Sequence, residues 1–219
     1  QLVERNLAKV EVAGSNPVVR SDAPAVPVGG SGSSALCLVA LGDYWRESSC
    51  GFERTEIGEL LHLAKDSGDP GAAAELAERF ARCAAGLPAA PDSAELRLVT
   101  AVPSFLAASE SEQTGDRHRS LAQILAESLA AAGAGECRHD LVARSNPTPR
   151  MRHVALDRRA ETAAAAGYTA REPLVSGRHI VLVDDVMLTG ATLDAVAGAL
   201  TDAGASSVVM VAAARTRKR

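Results

Sequence analysis

Apolar positions along the chain alternate between short continuous runs and runs at helical spacing, a pattern typical of buried strands and amphipathic helices. Strand-like runs occur at 36–41, 95–102, 140–143, 179–184 and 207–213. Helical spacing occurs at 56–65, 72–85, 117–132, 160–166 and 192–203. Because strands and helices alternate, the pattern predicts an α/β domain built on a mostly parallel sheet flanked by helices.

The first 35 residues do not share this pattern. Residues 1–35 are rich in Pro, Gly and Ser, and they lack sustained periodicity. The chain begins at Gln1, its first methionine is Met151, and residues 1–21 look like the translation of a transfer-RNA gene. We interpret 1–35 as a disordered leader, either genuine or a non-native extension, and we expect the domain to cover 36–219.

Composition excludes several classes of function. Hydrophobic residues make up 47% of the chain and aromatic residues only 3%, so the core must consist mainly of Ala, Val and Leu. A net charge of −4 gives no general attraction to nucleic acid. The four cysteines are widely spaced, which argues against a zinc site. No apolar run approaches the roughly 20 residues of a membrane span, and we expect a cytoplasmic protein with reduced cysteines.

The segment 180–192, Ile-Val-Leu-Val-Asp-Asp-Val-Met-Leu-Thr-Gly-Ala-Thr, carries the strongest functional signal. It reads as a buried parallel strand, a polar loop at its carboxyl end and the start of a helix, where α/β sheets bind ligands. The amide groups of a helix N-terminus favour phosphate. Asp184 and Asp185 would repel a phosphate, so they must address sugar hydroxyls or a divalent metal. The alternative is an ordinary strand-to-helix turn that carries two acids.

This segment resembles the phosphoribosyl pyrophosphate (PRPP) motif of the type I phosphoribosyltransferases, which implies the fold of that family. The resemblance implies that Asp184 and Asp185 hold the ribose hydroxyls, directly or through Mg²⁺, and so are the candidate catalytic and metal-binding residues. It also implies that the following loop binds the 5′-phosphate; this loop comprises Val186, Met187, Leu188, Thr189, Gly190, Ala191 and Thr192. The family often has Thr-Thr-Gly where this chain has Leu188-Thr189-Gly190.

Within that family the chain is most similar to the competence-protein ComF group. The similarity is carried by Tyr44, the helical segment 58–65, Val102-Pro103, Arg117 and a loop with Arg144, Arg150 and Arg158. It implies that Arg117, with Arg119 as a second candidate, faces pyrophosphate, and that one of the loop arginines closes over it. Two departures stand out: the cysteine-rich zinc module of the group is missing, and His118-Arg119-Ser120 replaces Gly-Phe-Asn. We interpret Lys65 as a surface lysine that complements the helix dipole.

Three functions are compatible with these features. The chain could be an active transferase that uses PRPP and a nitrogenous acceptor, or a PRPP-binding sensor without catalysis. The ComF resemblance implies a third, an accessory role in uptake or processing of single-stranded DNA, with a helicase as a candidate partner. The loop motif supports the first two hypotheses, whereas the arginines at 138–159 and the basic end at 215–219 support the third.

Overall fold

A computed structural model describes residues 36–49, 51–88, 97–103 and 119–216. The predicted leader lies outside the described residues, so its assignment and the domain boundary at 36 stay predictions. The strands are, in chain order, β1 (Leu36–Asp43), β2 (Trp45–Ser48), β3 (Gly51–Arg54), β4 (Leu98–Ala101), β5 (Glu136–Cys137), β6 (Val142–Arg144), β7 (Tyr168–Ala170), β8 (His179–Met187) and β9 (Ser207–Arg215). The α-helices are α1 (Glu56–Asp66), α2 (Pro70–Ala81), α3 (Leu121–Leu129), α4 (Arg159–Ala165), α5 (Glu172–Val175) and α6 (Ala191–Asp202).

One five-stranded sheet organises the fold. Its order is β1-β9-β8-β4-β5, and every neighbouring pair of strands is parallel. The predicted parallel sheet flanked by helices is therefore confirmed. Strand β8 lies in the middle of the sheet, and both of its faces are covered. Because both faces are buried, its sequence is a continuous apolar run rather than an alternation of apolar and polar residues.

Two hydrophobic cores lie on opposite faces of this sheet. Val181 and Val183 of β8 belong to the core that also contains buried residues of α1, α2 and α3. Ile180 and Leu182 belong to the second core, which contains the buried face of α6. Successive side chains of a strand point to opposite faces, so β8 joins the two cores and fixes the position of its own carboxyl end between them.

Capping residues set where two helices begin. The helix predicted from residue 72 begins at Pro70, because the Asp69 side chain accepts hydrogen bonds from the amides of Gly71 and Ala72. Among the described residues, the helix predicted from 117 begins at Leu121, where the side chains of Ser120 and Gln123 form a capping box. No α-helix of the described segments combines the length and the apolar composition needed to cross a bilayer.

Two short antiparallel strand pairs lie outside the main sheet. Strands β2 and β3 pair directly after the carboxyl end of β1, and β6 pairs with β7 before β8. Of these four strands, sequence patterning predicted only β6, because three- and four-residue strands are too short for a clear alternation. We call the part of the chain from Val142 to Ala170 the hood.

Candidate active site

The carboxyl end of β8 places two acids at the edge of the sheet. Asp185 is only 8% exposed, and Asp184 is partly buried. Each carboxylate accepts a hydrogen bond from the next backbone amide: Asp184 Oδ1 from Asp185 N at 2.9 Å, and Asp185 Oδ1 from Val186 N at 2.7 Å. These bonds orient both side chains through the local backbone, so the pair is held by the end of the strand.

Lys65 contacts the acid pair, whereas the sequence predicted only a surface lysine that complements the helix dipole. Its Nζ donates to Asp185 Oδ1 at 2.7 Å and lies 2.6 Å from Asp185 Oδ2. The Lys65 side chain is 48% exposed, whereas that of Asp185 is 11% exposed. Lys65 is therefore the cationic partner of the acid pair rather than a surface lysine that only complements the helix dipole. The sole sequence signal was its place in the lysine-ended helix of the ComF resemblance, because 120 residues separate it from its partner.

The electrostatics of the two acids differ. Burial, followed by repulsion from Asp185, raises the pKa of Asp184 from its ordinary value of 3.8 to about 7, although Lys65 opposes the shift. Burial acts to lower the pKa of Lys65, but the charge and hydrogen bond of Asp185, together with the charges of Asp184 and Asp66, outweigh it and the net shift is upward. The site thus holds one ion pair, Lys65–Asp185, beside one carboxyl group that takes up a proton near neutral pH.

The loop after the acids forms a helix N-terminus. Gly190 caps α6 in the left-handed region, at φ 81°, which glycine adopts without steric cost. The amides at the start of a helix have no partner within the helix and can bind an anion. The loop is tied to the neighbouring strand, because Thr216 N donates to Met187 O at 2.8 Å. This geometry brings the N-terminus of α6 close to Asp184 and Asp185.

The side chains of the loop residues differ in burial and in the core that they contact. Val186 packs against the core of α1–α3, and Met187 packs against the core of α6. Leu188 and Thr192 are partly buried, while Thr189 is exposed and its Oγ1 accepts from Ala191 N at 3.4 Å. Asp194, in the first turn of α6, places a third carboxyl group near this loop, and burial raises its pKa.

The hood carries Arg144 and Tyr168 on paired positions of β6 and β7. Arg144 is buried, and it donates to Asn146 O at 2.9 Å and to Thr148 Oγ1. Burial raises the pKa of Tyr168, Arg144 lowers it, and Asp184 raises it further. Both Arg144 and Asp184 therefore act on the pKa of Tyr168. These hydrogen bonds of Arg144 stabilise its own loop and direct its guanidinium group into that loop.

Two open clefts lie along the hood. One, of about 350 Å³, is lined by Pro147, Thr148, Pro149, Arg158, Glu161, Thr162 and Ala165. The other, of about 440 Å³, lies between the hood and the start of α6 and is lined by residues that include Arg159, Thr189, Ala191 and Asp194. The second cleft borders the loop before α6, so a ligand on that loop would lie beside the hood.

Of the other arginines predicted for the site, one lies outside the described residues, one contacts α3 and two are exposed on the hood. Arg117 lies outside the described residues, and its assignment stays a prediction. Arg119 donates to Glu127 Oε2 at 2.6 Å, which directs it to α3. Arg150 and Arg158 are exposed on the hood, and Arg158 lies 3.7 Å from Glu161 Oε2.

The described residues contain no group of three or more His, Cys, Asp or Glu side chains that could hold a metal ion. Magnesium often needs fewer protein ligands, because it is bound through one or two carboxylates together with the phosphate oxygens of a substrate. Asp184 and Asp185 fit this second arrangement, with the restriction that Lys65 already contacts both oxygens of Asp185.

Comparison with known proteins gives a family match over most of the chain. The sequence model described as "Phosphoribosyl transferase domain" matches residues 86–219. No curated protein sequence matches the chain. The matched range includes β8, the loop and α6, but it excludes α1 and therefore Lys65.

Three solved structures are similar to the chain at low identity. Glutamine PRPP amidotransferase from B. subtilis, complexed with ADP and GMP, is 18% identical, with a TM-score of 0.43 over 80% of this chain and 36% of that one. The protein TT1426 from Thermus thermophilus is 20% identical, with a TM-score of 0.37 over 64% and 72%. A mutant of Trypanosoma cruzi hypoxanthine phosphoribosyltransferase, complexed with the product IMP, is 14% identical, with a TM-score of 0.34 over 71% and 64%. The chain thus spans about a third of the first of these proteins.

Proposed function

This chain belongs to the phosphoribosyl transferase domain family, and from that premise we propose that it binds PRPP with Mg²⁺ and transfers ribose 5-phosphate to a nitrogenous acceptor. One observation carries the proposal. The acid pair Asp184–Asp185 lies near the carboxyl end of the central parallel strand β8, and after a short loop the Gly190-capped N-terminus of α6 follows. A ribose 5-phosphate needs these two kinds of partner side by side, because carboxylates accept from hydroxyls and amides donate to phosphate.

In this proposal, the acid pair and the loop after it bind different parts of the ligand. Asp184 and Asp185 hold the ribose 2′- and 3′-hydroxyls, and the segment Thr189–Thr192 surrounds the 5′-phosphate with backbone amides and threonine hydroxyls. Because Gly190 has no side chain, the backbone can approach the phosphate closely. When bound, Mg²⁺ offsets the charge of the pyrophosphate and ribose oxygens. Arg117 is the proposed pyrophosphate contact.

The proposed reaction makes few chemical demands on the protein. A lone pair of the acceptor nitrogen forms a bond to the anomeric carbon, and the bond from that carbon to the pyrophosphate oxygen breaks. Pyrophosphate leaves with the bonding electrons, and the acceptor nitrogen gives up a proton. Positioning and electrostatic stabilisation therefore provide most of the catalysis, which suits a site with two oriented carboxylates and a helix N-terminus.

We also propose that the chain belongs to the ComF group. Lys65 supports this assignment, because it lies at the end of the segment 58–65 that resembles the ComF group and it contacts Asp185 of the acid pair. A non-catalytic PRPP sensor is the alternative within the same site. It is favoured by the segment that departs from the group: Arg119 is bound to Glu127 and Ser120 caps α3, so neither side chain is directed to a pyrophosphate.

The nucleic-acid role implied by the ComF resemblance receives less support from the arginines of 138–159. Arg138 is held by Asp140 through two hydrogen bonds of 2.9 Å, and Arg144 is buried within its loop. Among the arginine side chains that the structure describes in this range, Arg150 and Arg158 are exposed. An accessory role with single-stranded DNA or a helicase therefore stays a second candidate that the binding experiment below separates from the first.

The test combines PRPP calorimetry with pyrophosphate release. Wild-type protein is titrated with PRPP in Mg²⁺ and then assayed with a panel of nucleobases and amines. The variant Asp184→Asn/Asp185→Asn should remain folded but lose PRPP binding, whereas Asp157→Asn/Asp202→Asn, which removes two exposed acids, should bind normally. Binding without turnover of any acceptor identifies the sensor. No PRPP binding by the wild-type chain removes both the transferase and the sensor.

A further inference from the structure

The ammonium group of Lys65 occupies the position that a metal ion would need at Asp185. It contacts Oδ1 at 2.7 Å and Oδ2 at 2.6 Å, while Val186 N donates to the same Oδ1 at 2.7 Å. Magnesium requires an oxygen ligand at about 2.0–2.1 Å in near-ideal octahedral geometry. A metal on Asp185 would therefore have to displace Lys65 or lie beside a second positive charge.

Helix α1 fixes Lys65 in this place. Thr55 caps the helix by accepting from Gly58 N at 2.9 Å, and it donates to Asp43 O, at the end of β1, at 2.7 Å. Leu61 of the same helix is fully buried in the core of α1–α3. The N-terminus and the middle of α1 are thus held against β1 and the core, and Lys65 extends from the last turn of this helix to Asp185.

We propose that Lys65 is the resident cation of the site: it neutralises Asp185, positions that carboxylate for a ribose hydroxyl and excludes a divalent metal from it. Asp184 is then the carboxylate of the pair that remains open to the metal. The ribose part of this proposal rests on the proposed function, whereas the exclusion of metal does not. The proposal also assigns a site residue to α1, which lies outside the range that the family model matches.

The first test measures Mn²⁺ binding by electron paramagnetic resonance, without PRPP. Lys65→Met removes the charge and retains the apolar stem, Lys65→Arg retains the charge, and Arg82→Met removes an exposed cation that pairs with Glu78. The Lys65→Met protein should bind Mn²⁺ at least about fivefold more tightly, the effect of one unit charge about 4 Å away in water. Lys65→Arg and Arg82→Met should bind as the wild type does. A folded Lys65→Met protein with unchanged Mn²⁺ affinity overturns the proposal.

A double variant keeps the proposal testable if Lys65→Met does not fold. Lys65→Met/Asp185→Asn removes both charges of the ion pair and leaves Asp184. Because the proposal gives the metal to Asp184, this variant should bind Mn²⁺ with wild-type affinity. Loss of Mn²⁺ binding in the double variant would show that Asp185 is a metal ligand and would overturn the assignment.

PRPP calorimetry then tests the positioning role separately. Lys65→Met should weaken PRPP binding about tenfold because Asp185 keeps its bond from Val186 N but loses the charged partner that also orients it, and Lys65→Arg should restore most of the affinity. Equal PRPP affinity of wild type and Lys65→Met overturns the positioning role. If the wild type binds no PRPP at all, the proposed function fails, while the Mn²⁺ measurements still decide whether Lys65 excludes metal.

Discussion

The backbone carbonyl of Tyr44 leaves no room for a side chain at Gly58. A Cβ atom built at Gly58 would lie 2.1 Å from Tyr44 O, well inside the distance that two such atoms tolerate. Tyr44 follows the end of β1, and its amide donates to Arg215 O of β9 at 2.7 Å. The glycine therefore lets α1 approach the sheet edge, and this approach sets the distance from Lys65 to Asp185.

Gly58→Ala should destabilise the protein and weaken the Lys65–Asp185 contact. The clash is with backbone, which cannot turn away as a flexible side chain can, so we expect a loss of about 2 kcal/mol or more in the free energy of unfolding. Urea denaturation measures this loss. PRPP calorimetry on the folded fraction should show weaker binding as well, because α1 is displaced.

Gly198→Ala is the matched control, since Gly198 also lies within a helix but has open space around it. Replacing glycine by alanine in a helix interior favours the helix by about 0.8–1 kcal/mol when nothing clashes. The same substitution should therefore have opposite signs at the two positions. Equal effects at 58 and 198 would contradict the close approach of α1 to Tyr44.

Thr55→Ala should also destabilise the protein at α1, through the loss of hydrogen bonds rather than through a steric clash. The hydroxyl of Thr55 joins two elements, because it accepts from Gly58 N and donates to Asp43 O. Loss of an N-cap typically costs about 1–2 kcal/mol, and the carbonyl of Asp43 also loses a donor. Thr55→Ser retains the hydroxyl and should restore most of the stability in urea denaturation. A serine variant as unstable as the alanine variant would show that the methyl group, not the hydrogen bonds, matters.

The strand, loop and helix of 179–202 could be predicted closely from the sequence because their determinants are local. A continuous apolar run predicts a strand buried on both faces, and the acids followed by Thr-Gly-Ala-Thr mark the loop and the helix start. The structure places β8 and α6 within a few residues of these expectations. Gly190 caps this helix in the left-handed conformation.

The contacts around this motif could not be predicted in the same way. Lys65 and Asp185 are 120 residues apart, and the helical pattern of 56–65 gives no information about what its charged end meets. Tyr168 lies opposite Arg144 only because two three-residue strands pair, and such strands are too short to show a pattern. Local periodicity specifies elements, whereas the partners of polar side chains depend on how distant elements pack.

Gly190→Ala should weaken PRPP binding more than it weakens the fold. Alanine at φ 81° is strained by roughly 1–2 kcal/mol, and relaxation of this strain would move the amides that the proposed phosphate contacts need. Gly177→Ala places alanine at φ 73° just before the opposite end of β8, with nothing within 4 Å of the added atom. Both variants should lose similar stability in urea, but only Gly190→Ala should lose affinity for PRPP in calorimetry. Equal PRPP affinities would contradict the phosphate assignment of the loop.

The raised pKa of Asp184 predicts that the free energy of unfolding depends on pH. Burial and Asp185 raise the pKa of Asp184 to about 7 from an ordinary value of 3.8. Between these values the folded state binds a proton that the unfolded state has released, so the free energy of unfolding falls as pH rises. The contribution of Asp184 is complete below about pH 4 and is lost as pH passes through about 7.

Asp184→Asn should remove this dependence. Asparagine retains an oxygen that can accept from Asp185 N, but it carries no charge to bury. In urea denaturation at pH 8, the free energy of unfolding of the variant should therefore be higher than that of the wild type by at least about 1 kcal/mol. This is well below the roughly 4 kcal/mol that a shift of three pKa units would give without screening. The difference should vanish towards pH 4. Asp157→Asn, at an exposed acid of the hood, should follow the wild-type curve. If the Asp184→Asn and wild-type curves run parallel from pH 4 to pH 8, Asp184 is already ionised throughout that range, and Lys65 compensates both acids rather than Asp185 alone.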